Sequence, residues 1–272
     1  MRSTSTMHSM PIPAHFTDRL PLVLQLARRD VAGRYRGSLL GLSWSFFQPL
    51  LLLAVYTFVF GLVFKSRWSH DQSRFGFALT LFCGLVVYNL FAECITRAPS
   101  LVLAHASYVK KVVFPLDILP WVSLSAALFH AFASLAVLFV FLVLFGPGLS
   151  PSALLLPLVL LPLLPMILGL SWLLASIGVY LRDIGQVVNL SMTVLLFMSP
   201  VFYPASGLPP AVRPWLFLNP LTLIIEETRK VLIEGAPPDW GSLLVYLAVA
   251  LLVAQGGHLW FQKTRKGFAD VL

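Results

Sequence analysis

Six apolar runs, most of them near or above 20 residues, restrict what this chain can become; they cover approximately residues 39–64, 77–96, 118–145, 153–180, 187–203 and 242–262. A helix needs about 20 apolar residues to cross about 30 Å of hydrocarbon at about 1.5 Å per residue. No single soluble core could hide this much apolar surface, since 58% of the 272 residues are hydrophobic and only 11% are charged. The sequence therefore reads as an all-α polytopic membrane protein with six transmembrane helices. The fifth run is short and closes on Pro200 and Pro204, so its far end is expected to bend or unwind. Pro49 in the first run and Pro157, Pro162 and Pro165 in the fourth predict kinks, tolerated where neighbouring helices satisfy the freed carbonyls.

Residues 1–38 contain no apolar core followed by a small-residue cleavage site, so the first span is expected to stay in the chain. Six spans put both termini on one side. Placing them in the cytoplasm assigns 13 of the 19 Lys and Arg residues to that side and leaves six outside: Lys65, Arg67, Arg74, Arg213, Arg229 and Lys230. The excess of basic residues inside supports this orientation, and it accounts for part of the net charge of +8 without a nucleic-acid partner. Cys83 and Cys94 share one predicted span, roughly 16 Å apart at helical rise, too far to bond within that helix. Asn189 begins an Asn-Leu-Ser sequon at the edge of a span and is not read as a glycosylation site.

Three non-spanning pieces carry most of the functional information. In residues 17–36, Leu20, Val23, Leu24, Ala27 and Val31 recur at helical spacing, with Arg28, Arg29 and Arg36 largely on other faces. That pattern describes an amphipathic helix in the inner interface. Its arginines either set topology and bind anionic lipid, or grip a diphosphate head group. Gly33, Gly37 and Gly41 form a GxxxG repeat that either admits a close neighbour or eases a turn into the membrane. The connection from Arg97 to Leu116 is too long for a simple hairpin and predicts a cytoplasmic helix between Pro99 and Pro115, suited to docking a soluble partner. In the short fourth connection, Arg182 and Asp183 are expected to pair or to cap the next helix. The third piece, Ser199–Gly241, has two apolar halves too short to span, as in re-entrant or interfacial segments. Its charged stretch, Glu226, Glu227, Arg229, Lys230, Glu234 and Asp239, is expected near the outer surface.

Catalytic constellations are missing from the sequence. There is no GxxxxGK phosphate loop, so ATP hydrolysis by this chain alone is not expected, and neither HExxH nor a Cys/His metal spacing occurs. The clearest intramembrane ionisable residues are Glu93 and His130. Glu93 is placed to pair with Arg97 four residues on, and His130 reads as an isolated, hydrogen-bonded packing residue.

The segment from Leu26 to Phe64, with its core RDVAGRYRGSLLGLSWSFFQPLL, resembles the membrane-spanning subunits of bacterial ABC exporters for O-antigen, capsular polysaccharide and teichoic acid. The likeness continues in VKKVVFPLDILP at 109–120 and YLRDIGQVV at 180–188, in motif order along nearly the whole chain. The resemblance implies a single type-2 ABC exporter transmembrane domain over residues 1–272: an interface helix at 17–36, six spans, a cytoplasmic coupling helix at 101–113, and re-entrant helices at 204–241 between spans five and six. It implies a homodimer enclosing the conduit, and two copies of a separate nucleotide-binding subunit that bind Mg-ATP, with no cofactor in this chain. The substrate would be an undecaprenyl-diphosphate-linked glycan, most often O-antigen, crossing the bacterial inner membrane. On that basis Arg28, Arg29, Arg34, Tyr35 and Arg36 are candidates for the pyrophosphate, because guanidinium groups pair well with phosphate oxygens. Trp44, Phe46, Phe47 and Tyr56 are candidates for a sugar path. Ser107, Tyr108, Lys110, Lys111, Arg182 and Asp183 are candidates for coupling to the ATPase. Two alternatives stand beside this: an ABC exporter subunit for a smaller lipid or drug, and a membrane enzyme acting on lipid-linked sugars.

Overall fold

A computed structural model describes residues 16–59, 74–105, 114–146, 148–207, 209, 213–216 and 218–271. Among them the secondary structure is helical. Five stretches are long and apolar enough to cross a membrane: Gly41–Val59, Gly76–Ser100, Leu116–Phe145, Pro151–Tyr180 and Trp240–Val271. A further apolar helix, Ile184–Met198, has 15 residues and spans about 22 Å. The chain is thus a multi-pass membrane protein. We label the helices α1 (Phe16–Arg34), α2 (Trp44–Tyr56), α3 (Arg74–Arg97), α4 (Leu119–Phe145), α5 (Leu156–Leu160), α6 (Leu163–Tyr180), α7 (Ile184–Met198), α8 (Arg213–Leu216), α9 (Thr222–Arg229), α10 (Trp240–Thr264) and α11 (Phe268–Val271).

The most apolar 18-residue window of the α3 stretch is 83% buried, against 17% for the α2 stretch and 22% for the α10 stretch. So α3 is the axis of the bundle, while α2 and α10 turn most of their surface outward to lipid or a neighbour. One continuous core surrounds α3, drawing Leu81, Phe82 and Phe91 together with Leu138, Leu142, Ile167 and Ile225. Where α6 meets α10 the contact is made by glycines: a Cβ on Gly169 or Gly257 would overlap the facing backbone. Without a strong hydrophobic drive between helices in lipid, such close backbone approach is what holds them.

Proline positions explain the irregularities. The fourth apolar stretch breaks at Leu161–Pro162, between α5 and α6, whereas α2 runs unbroken through a buried Pro49. The α3 helix ends at Arg97 because Pro99 disfavours helical geometry before it and lacks an N–H. The helix expected from Pro99 is absent at its start, where 3-10 turns occupy Ala98–Ser100 and Leu103–His105. Leu101 and Val102 are nonetheless buried there. The remainder of that connection, including Ser107, Tyr108, Lys110 and Lys111, lies outside the described residues.

The amphipathic α1 lies against α4. Its buried stripe is Val23, Ala27 and Val31, the first two packed with Ile118 and Val122, while Leu20 and Leu24 face outward. The expected five-residue apolar face is therefore narrower, a single i, i+4, i+8 row against a neighbouring helix. Gly37 (φ +84°) and Gly41 (φ +49°) supply left-handed backbone in the turn from α1 to α2, and no atom lies near an added Cβ at either. Of the two readings of this repeat, the turn into the membrane is the one observed.

At the opposite end of the bundle, the charged stretch after α8 is not all at the surface. Arg229 is 3% exposed and Glu227 7%. The Arg229 guanidinium donates to the carbonyls of Thr80 (3.1 Å), Val201 (2.8 Å) and Pro200, and to Glu226 (3.3 Å). It thereby ties α9 to α3 and to the backbone that leaves α7. Glu227 accepts the Asp239 N–H at 2.9 Å, which fixes the start of α10. Buried carbonyls beyond a helix end need donors, and here one side chain serves two of them, Pro200 and Val201, while also bonding a carbonyl inside α3.

Candidate functional site

The α1 end of the bundle gathers charge from three elements. Arg34, the last residue of α1, forms an ion pair with Glu93 of α3 at 2.7 Å. His130 of α4 lies on the same carboxylate, with Nδ1 3.0 and 3.1 Å from its two oxygens. As an N–H, this Nδ1 donates to Glu93; Arg34 Nη1, 3.2 Å away, is then only a close neighbour, because a guanidinium cannot accept. One turn along, Arg97 pairs with Asp30 of α1 at 2.8 Å. Arg19 pairs with Asp117 at 2.6 Å, where Arg265 after α10 also approaches to 3.9 Å.

This geometry revises two sequence expectations. Arg97 reaches Glu93 only at 3.9 Å and is engaged mainly by Asp30. His130 is hydrogen-bonded as expected but not isolated, since its partner is a carboxylate 37 residues earlier. Local sequence showed neither, because the pairings connect α1, α3 and α4 across folds of the chain. The only signal available was the presence of a Glu and a His at intramembrane positions.

Arg34 stands between two cavities. The first, about 650 Å³, lies between α1, the start of α4 and the turns after α3, and its walls include Arg29, Asp30, Arg34, Arg97, His105 and Ser123. Three guanidinium groups against one carboxylate make it a cationic site, suited to a phosphorylated ligand. The second, about 570 Å³, lies between α2, α3, α4 and α7. Arg34, Tyr35, Glu93 and His130 are among its walls, followed by amide and hydroxyl side chains from all four helices. Tyr35 meets the His130 ring edge-on at 6.0 Å, and burial pushes its phenol above the usual range.

The five arginine-region candidates are thus not equivalent. Arg34 is committed to Glu93, Arg29 borders the cationic cavity and Tyr35 borders the polar one. Arg28 and Arg36 are exposed, border neither cavity and have no ion pair among the described residues. The four aromatic candidates do not line these cavities either. Trp44, Phe46 and Phe47 are exposed on the outer faces of α2, with Trp44 and Phe47 in edge contact at 6.4 Å, and Tyr56 packs against the core. The face of α2 that enters the second cavity is instead Ser45, Gln48, Pro49 and Leu52, spaced i, i+3, i+4, i+7. At the short turn between α6 and α7, Asp183 occupies the N-cap of α7, but its side chain accepts no capping bond. Among the described residues no Arg182–Asp183 pair forms, and both side chains are exposed.

No group of His, Cys, Asp and Glu among the described residues could hold a metal ion. A cationic recess and a polar cavity share an arginine at the point where an amphipathic helix enters a membrane bundle.

Comparison with known proteins gives this arrangement a family. The chain is 29% identical over 251 residues to the O-antigen export system permease protein RfbA of Myxococcus xanthus, covering 92% of this chain and 94% of that protein. It is 27% identical to the protein of the same name from Klebsiella pneumoniae, covering 92% and 95%. The polysialic acid transport protein KpsM of Escherichia coli is 24% identical, covering 88% and 91%. Residues 21–233, which include most of α1, both cavities and the Arg229 anchor, match the ABC-2 type transporter family, and the chain belongs to that family.

Proposed function

We propose that this chain is the membrane permease of an ATP-driven exporter that moves a lipid-linked polysaccharide of the O-antigen class across the bacterial inner membrane. The observation that carries the reading is similarity to O-antigen export permeases over 92% of this chain, with both proteins aligned almost end to end. The two cavities support it, because a cationic recess beside one rich in amide and hydroxyl groups suits a sugar joined to a diphosphate.

In this reading two copies enclose the conduit. Two separate ABC ATPase subunits bind Mg-ATP, and their closure reaches the spans through residues 101–113 and the turn at Arg182–Asp183. The carrier is undecaprenyl diphosphate, met first by the exposed Arg28, Arg29 and Arg36 and then by Arg34. With α7 counted as the fifth span, there are six crossings, both termini are cytoplasmic and the segment 204–241 re-enters from the outer side. The α1 end is then the cytoplasmic end, where the basic residues concentrate.

The test is reconstitution with the cognate ATPase in vesicles containing undecaprenyl-diphosphate-linked glycan. Glycan-dependent ATP hydrolysis and protection of the glycan inside the vesicle are expected. Hydrolysis that responds to a smaller lipid or drug but not to the glycan would replace this substrate class.

A further inference from the structure

From residue 76 to 99, the stretch that forms the axis of the bundle, every side chain is buried or half-buried except one, Asn89. It opens into the 570 Å³ cavity, and Glu93 and Thr96 follow it on the same helical face. Across the cavity stand Gln48 of α2, Ser134 of α4, and Asn189 with Thr193 of α7. The side-chain amides of Gln48, Asn89 and Asn189 have no hydrogen-bond partner among the described residues. Tyr88, the neighbour of Asn89, donates its hydroxyl to the Met192 carbonyl at 2.8 Å, whereas His130 Nε2 on the same cavity has no partner among the described residues. Three uncharged amides around one cavity offer donors and acceptors together to whatever occupies it.

We propose that this cavity is a saccharide subsite that reads the sugar nearest the carrier diphosphate, with Gln48, Asn89 and Asn189 as its hydrogen-bonding residues. The inference rests on the exporter reading above. Amides donate and accept at once, as sugar hydroxyls do, so beside the charged Arg34 and Glu93 of the same cavity they supply the hydrogen bonds that a polyhydroxyl ligand needs. The volume falls within the about 300–1,000 Å³ of small-ligand sites. Arg34 fixes which sugar is read. It borders both cavities, so a diphosphate in the cationic recess places its attached sugar, and not a distant unit of the polymer, against the three amides.

The test compares two ligands on the intact exporter in vesicles: undecaprenyl diphosphate alone, and the same lipid bearing a single hexose. For the wild type, the hexose-bearing lipid is expected to stimulate ATP hydrolysis at a concentration about tenfold lower. Asn89→Leu, Asn189→Leu and Gln48→Leu are each expected to narrow that ratio by about three- to tenfold, the scale of one lost hydrogen bond. Equal wild-type responses to the two ligands, or a ratio unchanged in all three variants, would overturn the subsite while leaving the exporter reading intact. No response of the wild type to either ligand, or to the full glycan, would overturn the exporter reading and the subsite with it. The wild-type comparison does not depend on any variant folding.

Discussion

Arg229 and Arg34 sit at opposite ends of the α3 bundle, and the protein uses the same guanidinium in opposite ways. Arg229 is 3% exposed and serves three backbone carbonyls and one carboxylate. Arg34 has a side chain 41% exposed, rests on one carboxylate shared with a histidine, and borders two cavities. The first has four of its five N–H donors engaged inside the protein, three of them on backbone carbonyls. The second can turn toward an incoming anion while Glu93 keeps His130 and, at 3.9 Å, Arg97. The lesson is that the Arg229 end is fastened and the Arg34 end is exchangeable.

The largest effect is expected from Arg229→Leu. Removing the donor leaves the carbonyls of Thr80, Pro200 and Val201 buried without it, at a cost of about 3–5 kcal/mol. A steep fall in thermal midpoint and loss of monodisperse protein in detergent would show it; an unchanged midpoint would break the comparison. Gly84→Ala probes the same anchor more gently. An added Cβ would lie 3.0 Å from Arg229 Nη2 and 3.3 Å from Ile225 Cγ2, so about 1–3 kcal/mol of overpacking is expected in the same melt.

At the other end, Arg34→Ala is expected to cost about 1 kcal/mol or less in stability, as for a half-exposed ion pair. Glycan-dependent ATP hydrolysis should nevertheless drop several-fold. If the melt falls as far as for Arg229→Leu, Arg34 is an anchor too and the distinction collapses. The smallest effect belongs to Arg28→Gln with Arg36→Gln, two exposed residues without partners among the described residues. No change in thermal midpoint is expected. A weaker dependence of glycan-stimulated hydrolysis on salt should be the only trace, because these charges act through a screened field.

Sequence reasoning reached what periodicity and punctuation encode. The apolar stretches, the amphipathic character of α1, and the break at Pro162 all follow from local pattern. It failed where a residue's meaning depends on a distant partner. Arg229 sits in a window of alternating charges and reads as surface, yet two of its acceptors lie 28 and 29 residues away and the third 149. Gly169 and Gly257 carry no motif, although each is required by the backbone of the other helix. The arginine-rich segment was legible as a whole; its division into an engaged Arg34, a cavity-lining Arg29 and free-standing Arg28 and Arg36 was not. On α2 the eye goes to the aromatics, whereas Gln48 and Ser45 occupy the cavity face. Asn189, set aside in the sequence as a sequon at the edge of a span, lies on the same cavity.

The brevity of α7 bears on the membrane itself. Its 15 residues reach about 22 Å, some 8 Å less than an average hydrocarbon layer. From Ser199 to Pro204 the chain is non-helical, and the Pro200 and Val201 carbonyls there are held by Arg229. Beside this helix the oily layer must either thin or be replaced by protein backbone, each at a modest cost per ångström of mismatch. In the six-span reading proposed above, the insulating slab is narrowest at α7, one of the four helices around the polar cavity, where hydrogen-bonding atoms return after about three-quarters of the usual distance.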